Sequence, residues 1–363
     1  MSLPTRVRIA AYNVLAQSLA TSSFFPYAGS ALKAKTRVPR LLARVDALDA
    51  DVICLSESFV DVLDGLAAKG YDVSLARNRD GRNYGVAIAF RAATLELVGS
   101  AGASFDDVAE ALLDGDGGAA AATGGGEDRP FDARPPSTYR TASLALFATL
   151  SVRETRATFS VATTHLFWDP KLEVVKAAQA VMLTEAAGEF AAAHAPTAPF
   201  FVCGDFNSMP GSWTCDVLQA AGGFAPAADA SVDAAARVAG WDVYQRGAAL
   251  DAPASVAWRA RLRAALDARL GLPIAGPGRG SAGDAAGTGR TLRSAYAASE
   301  GGECDVTTVT ATFAATIDFV FTCGTARLLG VLPLPQRHAC GGPMPSASEP
   351  SDHLPLACDF EII

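Results

Sequence analysis

The hydrophobic pattern of this chain switches repeatedly between two periods. RVRIAAYNV (6–14), DVICLSES (51–58), YGVAIAF (84–90), SLALFATLSV (143–152), ATFSVATTHL (157–166), PFFVCGDF (199–206), TIDFVFT (316–322) and HLPLACDFEI (353–362) are rich in β-branched and aromatic residues. Turn formers flank these runs, and each predicts a strand. KTRVPRLLARVDAL (35–48), EVVKAAQAVMLTEAAGEFAAAHA (173–195) and SVAWRARLRAALDARL (255–270) instead space apolar residues near i, i+3 and i+4, which predicts helices. The arginines of the third helix read as a solvated face. Some strands alternate and others are apolar throughout, which suits an α/β fold of two packed sheets with helices outside. Gly/Ala/Pro-rich tracts near 111–136 (DGDGGAAAATGGGEDRP at 114–130) and 271–290 carry too little apolar surface to build core. They read as surface-loop insertions. Neither a repeat nor a break in composition divides the chain elsewhere, so one domain over 1–363 is expected.

Polar groups recur where the predicted strands stop. Asn13 ends the first strand, Glu57 the second, His165 the fifth, and Asp205 with Asn207 the sixth; Asp318 lies in TIDFVF, and Asp352–His353 opens the last. The stretch GDFNS, taken alone, is equally an Asx-turn in which Asp and Asn hydrogen-bond their own backbone. A series of such groups at strand ends is different, because a buried carboxylate or imidazole is costly unless paired or coordinated. Strands ending together would deliver the whole set to one rim. Glu57, Asn13 and Asp352 are hard oxygen donors suited to Mg²⁺ or Mn²⁺. Asp318 and His353 make a possible Asp–His pair. Asp205 and Asn207 could orient a water and a phosphoryl oxygen. Together they suggest metal-assisted hydrolysis of a phosphate ester.

Composition narrows the classes. Of 363 residues half are apolar, so a globular fold with a large core is expected. A net charge of −8 argues against a broad basic face for duplex DNA, though a local groove or bound metal can still handle a few phosphates. Seven cysteines with no CxxC pair give neither a zinc site nor a disulfide framework and favour a reducing compartment. The first residues lack the order of a signal peptide, and no apolar run is long enough to span a membrane. A cytoplasmic location is the resulting expectation.

YNVLAQ, the strand-borne Glu57, THLFWDP, GDFNSMPGS, TIDFVF and SDHLPL occur in the order seen in the endonuclease/exonuclease/phosphatase superfamily. The chain resembles most its deadenylase branch, which includes the carbon-catabolite-repressor-type catalytic subunit, nocturnin, Angel proteins and the mitochondrial 2′-phosphodiesterase. The resemblance runs from Ile9 to Phe360, except for the Gly-rich tracts and the stretch around 224–290. It implies a four-layer α/β sandwich with the site at the sheets' shared rim. It further implies Glu57 as principal metal ligand with Asn13 beside it, and Asp352 serving a second metal. Asp205 would ready the attacking water, Asn207 contact the scissile phosphate, His165 stabilise the transition state, and Asp318 pair with His353. In poly(A)-specific members a proline and a phenylalanine hold an adenine; Pro170 and Phe313 occupy those positions here, although a core role for Phe313 stays open.

Departures are visible too. LSES, with Ser56 and Ser58, replaces the usual LQEV; Thr163 replaces an Asn before THL; an Asn usual on the middle strand is missing around Ala142 and Ser143. Leucine-rich repeats that dock some deadenylases are absent. The resemblance implies a Mg²⁺-dependent 3′-exoribonuclease on poly(A) or oligoadenylate, whose partner is an RNA 3′ end. The alternatives are a phosphatase or phosphodiesterase on a small adenine nucleotide, as in nocturnin or the 2′-phosphodiesterase, and a non-catalytic RNA-binding scaffold. Sphingomyelinase-like chemistry has no membrane anchor to support it.

Overall fold

The structure, a computed structural model, describes residues 5–78, 80–106, 140–219 and 292–363. The helix expected over 255–270 and both Gly-rich tracts lie outside the described residues. The elements run β1 (Thr5–Asn13), α1 (Ala34–Leu48), β2 (Val52–Ser58), α2 (Val60–Ala68), β3 (Tyr71–Arg77), β4 (Gly85–Arg91), β5 (Leu95–Ser104) and β6 (Leu144–Val152). Then follow β7 (Thr158–His165), α3 (Glu173–His194), β8 (Phe200–Asp205), α4 (Trp213–Gln219), the short β9 (Arg293–Ser294), β10 (Thr308–Val309) and β11 (Ala314–Ala315), β12 (Asp318–Cys323), β13 (Ala326–Val331) and β14 (Leu356–Ile362). Every strand expected over the described residues is present within a few residues of its predicted bounds. The last begins at Leu356, so Asp352 and His353 lie in the approach to it.

Two six-stranded sheets form, ordered β13-β14-β1-β2-β4-β3 and β5-β6-β7-β8-β12-β9. Each is antiparallel except for one central pair, β1 with β2 and β7 with β8. The chain places those parallel neighbours by crossing over through α1 and α3, as parallel pairing requires. The sheets stack face to face. Val7, Ile9, Cys54, Ile88, Leu146, Val161, Phe201, Cys203, Val320 and Phe360 interdigitate between them. Leu41, Val45, Val62 and Leu66 of α1 and α2 cover the outer face of the first sheet, against Ile53 and Leu55. Leu183, Phe190 and Leu218 of α3 and α4 cover the second, against Val202 and Phe321. The result is the expected helix–sheet–sheet–helix sandwich.

α2, β3, β5 and β13 are elements that periodicity alone does not reveal. β5 and β13 are edge or near-edge strands with mixed exposure, and β5 carries Gly99 and Gly102. Their residues are those expected of an exposed strand, where propensity is weakest. α2 spans only nine residues and buries just Val62 and Leu66.

Strand parity prepares the site. In β1, β7, β8 and β12, residues with the parity of Ile9, Val161, Cys203 and Val320 face the other sheet. Asn13, His165, Asp205 and Asp318 share that parity, and period 2 aims them all into the gap between the sheets. Gly204 makes this close approach possible. Its φ is +139°, and a Cβ there would lie 2.1 Å from the Thr164 carbonyl oxygen. Gly204→Ala should therefore force β7 and β8 apart and cost about 2–4 kcal/mol, the sum of overpacking and a strained backbone. A denaturant-unfolding midpoint unchanged from the wild type would overturn this.

Candidate active site

His165, Asp205 and Asp318 are consecutive register partners across β7, β8 and β12. Asn13 ends the facing strand β1, beside β2. Stacking the sheets brings these groups into one cluster centred on Asp205, which is 2% exposed, with His165 half-buried at its edge. Its Oδ1 accepts the Asn207 backbone N–H at 2.9 Å, which fixes the carboxylate's rotation. Its Oδ2 accepts from Asn13 Nδ2 at 3.0 Å and lies 3.6 Å from His165 Nε2 and 3.7 Å from His353 Nε2. Two imidazoles therefore stand around one carboxylate oxygen at slightly more than hydrogen-bond distance. That spacing leaves the oxygen aimed at the space between them.

His353 is held from behind. Its Nδ1 pairs with Asp318 Oδ2 at 2.8 Å, and its strand-like bridge to Thr308 fixes the backbone. Asp318 is itself buried, and its N–H and that of Ile317 both donate to Thr307 Oγ1. Burial opposes a charge on His353, but the carboxylates of Asp318, Asp352 and Asp205 outweigh it and hold the imidazole well above the ordinary histidine range. Burial pushes Asp318 above the usual carboxylate range, against the opposing charge of His353. The pair is best read as an imidazolium oriented by a carboxylate, with Nε2 presented to Asp205.

Glu57 breaks strand parity. An unbroken alternation would turn residue 57 outward, with Leu55 and Ile53. Instead Glu57 adopts φ +55° and the β2–β4 register shifts between Leu55 and Ser58. Left-handed backbone at a glutamate is uncommon and is found where surroundings impose it. Here it delivers Oε1 to Asn13 Nδ2 at 3.3 Å and Oε2 to the Ala16 N–H at 2.8 Å. Asn13 thus links Glu57 to Asp205, while its Oδ1 accepts the Leu15 N–H at 3.0 Å. Asp352 joins from the SDHLPL loop, with Oδ2 4.0 Å from His353 Nε2. Burial drives the Asp352 carboxyl up to about 6; His353 opposes this, and the negative charge of Glu57 and Asp205 adds to it.

Mutually repelling, buried carboxylates are the donor set a divalent cation satisfies. Among the described residues, one ligand atom each from Asp205, Asp318 and His353 lie within 4.8 Å of one another. The hydrogen bond between Asp318 and His353 already occupies both of those groups, however. Glu57 and Asp352 add further carboxylate oxygens beside this set, and the donor chemistry fits a hard cation at their side of the cluster.

The remaining expected residues lie at the rim. Asn207 has φ +48° and donates Nδ2 to the Leu166 carbonyl at 2.9 Å, so it ties the β8 exit to the β7 exit. Pro170 is half-buried at the start of a short 3-10 turn, Pro170–Leu172. Phe313 is half-buried in the turn that joins β10 to β11. At the departures, Ser56 Oγ donates across the sheets to the Thr164 carbonyl, and Ser58 Oγ donates to Gly85. Thr163 Oγ1 is buried without a hydrogen-bond partner.

Two charged side chains escaped the sequence reading. Arg37 is fully buried in α1 and donates to the carbonyls of Val14 (2.8 Å), Leu15 (2.7 Å) and Pro350 (3.3 Å). It also covers the Phe59 ring at 5.4 Å, so one guanidinium joins the loops that follow Asn13 and precede Asp352. Burial lowers Arg37 only to about 10, and it stays charged at neutral pH. Lys176 is equally buried in α3 and donates to the Asn207 carbonyl at 2.6 Å while paired with Glu173 at 2.9 Å. A signal existed for Arg37. Arg37 shares the buried stripe of Leu41, Val45 and Leu48, where a charge is costly without partners.

Two face-to-face mixed sheets, whose central strands end in acids, imidazoles and amides at one rim, define a class of phosphate-ester enzymes. The model of the endonuclease/exonuclease/phosphatase family matches residues 10–353, and the chain belongs to that family. It is 28% identical over 233 residues to Carbon catabolite repressor protein 4 homolog 4 of Arabidopsis thaliana, covering 59% of this chain and 55% of that protein. It is 29% identical over 224 residues to Protein angel of Drosophila melanogaster, covering 58% and 55%. The chain thus spans about half the length of these relatives. Among solved structures, ANGEL2, described as a 2′,3′-cyclic phosphatase in complex with adenosine-2′,3′-vanadate, superposes with TM-score 0.65 at 22% identity, covering 100% of this chain and 97% of that one. The human nocturnin catalytic domain superposes with TM-score 0.55 at 19% identity, covering 100% and 97%. These likenesses are to the fold. No helix among the described residues is long and apolar enough to cross a membrane.

Proposed function

We propose that this rim hydrolyses phosphodiesters as a Mg²⁺-dependent 3′-exoribonuclease acting on poly(A) or oligoadenylate, with Mn²⁺ as a possible substitute. The convergence of Asn13, His165 and His353 on Asp205 Oδ2 carries the reading. Asp205, its rotation set by Asn207 N–H and Asn13, takes a proton from a water that attacks phosphorus. The bond from phosphorus to the leaving 3′ oxygen breaks, and that oxygen leaves with the proton returned. His353, charged and held by Asp318, offers Nε2 to a phosphoryl oxygen, and His165 offers its own Nε2 to the same group. Asn207 places its side chain at the same mouth. Glu57 and Asp352, with Asn13 between Glu57 and Asp205, would hold the cation. When bound it neutralises charge building on the phosphoryl oxygens. The names of the relatives, a carbon catabolite repressor protein 4 homologue and an RNA exonuclease among them, support an RNA substrate.

A second reading, a phosphatase or phosphodiesterase on a small nucleotide, has two supports. They are the net charge of −8 and the 2′,3′-cyclic phosphatase activity in the description of ANGEL2. Incubating the protein with labelled oligo(A), oligo(A) ended by a 2′,3′-cyclic phosphate, NADPH and a simple phosphodiester, each with Mg²⁺ or EDTA, separates the readings. Stepwise shortening of oligo(A) in Mg²⁺ alone supports the exonuclease; turnover confined to the cyclic end or to NADPH replaces it with the second reading.

Adenine preference is tested separately. If Pro170 and Phe313 hold a base, Phe313→Ala removes stacking of about 1–3 kcal/mol and slows oligo(A) cleavage roughly ten- to a hundredfold. The simple ester, which has no adenine, is spared. An equal loss on both substrates together with a lower melting temperature would assign Phe313 to packing instead.

A further inference from the structure

A cleft of about 430 Å³ opens between the start of α1 and the segment before Asp352, lined by Tyr27, Ser30, Thr36, Arg40, Pro343 and Pro345. It adjoins the active site by a short ladder of hydrogen bonds. Tyr27 Oη donates to the Met344 carbonyl at 2.6 Å, Met344 N–H to the Val309 carbonyl at 2.7 Å, and Val309 N–H to the Asp352 carbonyl at 3.3 Å. The same β10 strand leads directly into the turn that carries Phe313.

Three arginines at 37, 40 and 44 share one face of α1, since residues three and four apart are neighbours on a helix. Two have structural work: Arg37 on backbone carbonyls and Arg44 on Glu349 at 3.2 Å. Arg40, between them, is exposed on the wall of the cleft, and no carboxylate among the described residues pairs with it. A free guanidinium beside a partly exposed tyrosine ring and two proline faces offers one anion contact and one flat apolar surface. On a chain of net charge −8 such a feature is local, not part of a general basic coat.

We propose that this cleft binds a second nucleotide of a single-stranded nucleic acid, adjoining the one hydrolysed, with its phosphate on Arg40 and its base against Tyr27. The inference rests on the phosphodiesterase reading of the rim, and it adds a subsite that the catalytic cluster does not contain. It makes substrate length a determinant of affinity.

The test uses the full chain in Mg²⁺ with labelled oligo(A) of ten nucleotides and a simple phosphodiester too small to reach the cleft, at several salt concentrations. Arg40→Gln should raise KM for oligo(A) about tenfold and leave kcat within about twofold, since the contact serves binding alone. The slope of log KM against log salt should fall by about 0.7, the value for one lost contact to a single strand. Tyr27→Ala should raise the same KM without changing that slope. Turnover of the simple ester should match the wild type in both variants. An unchanged KM and salt slope in Arg40→Gln overturns the subsite, as does an equal loss on both substrates. Failure of the wild type to cleave oligo(A) while it cleaves the ester is a different result. It removes the exonuclease reading, and the cleft is then judged by whether Arg40→Gln weakens oligo(A) binding in a fluorescence-anisotropy titration of the full chain.

Discussion

Asp205→Asn should lower kcat by about a thousandfold or more on oligo(A) and on a simple phosphodiester alike. A positioned general base contributes roughly 10²–10⁴ in rate, and the amide cannot take a proton from water. The geometry sharpens the expectation. Asn at this position can still accept the Asn207 N–H through its oxygen, but its NH₂ then meets Asn13 Nδ2, a donor, and no longer draws in the two imidazoles. The loss therefore falls on the chemical step for any phosphate ester, whatever its leaving group. Steady-state kinetics with both substrates, beside a thermal melt, decides the matter. A raised KM with kcat unchanged would show that Asp205 binds substrate and that another group readies the water.

Glu57→Gln should separate stability from activity. At saturating Mg²⁺ the rate should fall by about a thousandfold, since a bound cation contributes several kcal/mol and each 1.36 kcal/mol is a factor of ten. In EDTA the same variant should melt higher than the wild type, because one charge leaves a set of carboxylates whose repulsion adds to the burial that drives Asp352 up to about 6. The wild type carries the matching pH signature. A carboxyl whose folded pKa lies above its unfolded value near 3.8 binds more protons in the folded state between those two values. Without metal, stability contributed by Asp352 should therefore decline as pH rises from about 4 to about 6, and Mg²⁺ should flatten the trend. Near-normal Mg²⁺-dependent turnover in Glu57→Gln would move the cation site elsewhere in the cluster.

The reach of the sequence differed from residue to residue. Strands β1, β2, β4, β6, β7, β8, β12 and β14 are legible because each is apolar on at least one face and bounded by turn formers. The polar residues at their ends are legible for the converse reason: a carboxylate or imidazole at the end of a buried strand needs a partner. Ordered motifs then implied the family, and the match over residues 10–353 bears this out. β3, β5, β13 and α2 were not legible, since edge strands and a short helix get their stability from neighbours and not from their own periodicity.

What the sequence determined by itself is the chemistry available: which acids, amides and imidazoles end which strands. Tertiary structure decided how those groups act on one another. Glu57 reaches the cluster only because β4 shifts register and the backbone turns left-handed, against the alternation of its own strand. Packing alone places the Arg37 guanidinium on three carbonyls and the Lys176 ammonium on the Asn207 carbonyl. The cleft at Arg40 has no linear signature either, because its walls come from α1 and from a segment some three hundred residues further along the chain. Local pattern follows from side-chain period, which is a property of the chain. Proximity between distant segments follows from how two sheets and their helices stack, which only the folded molecule fixes.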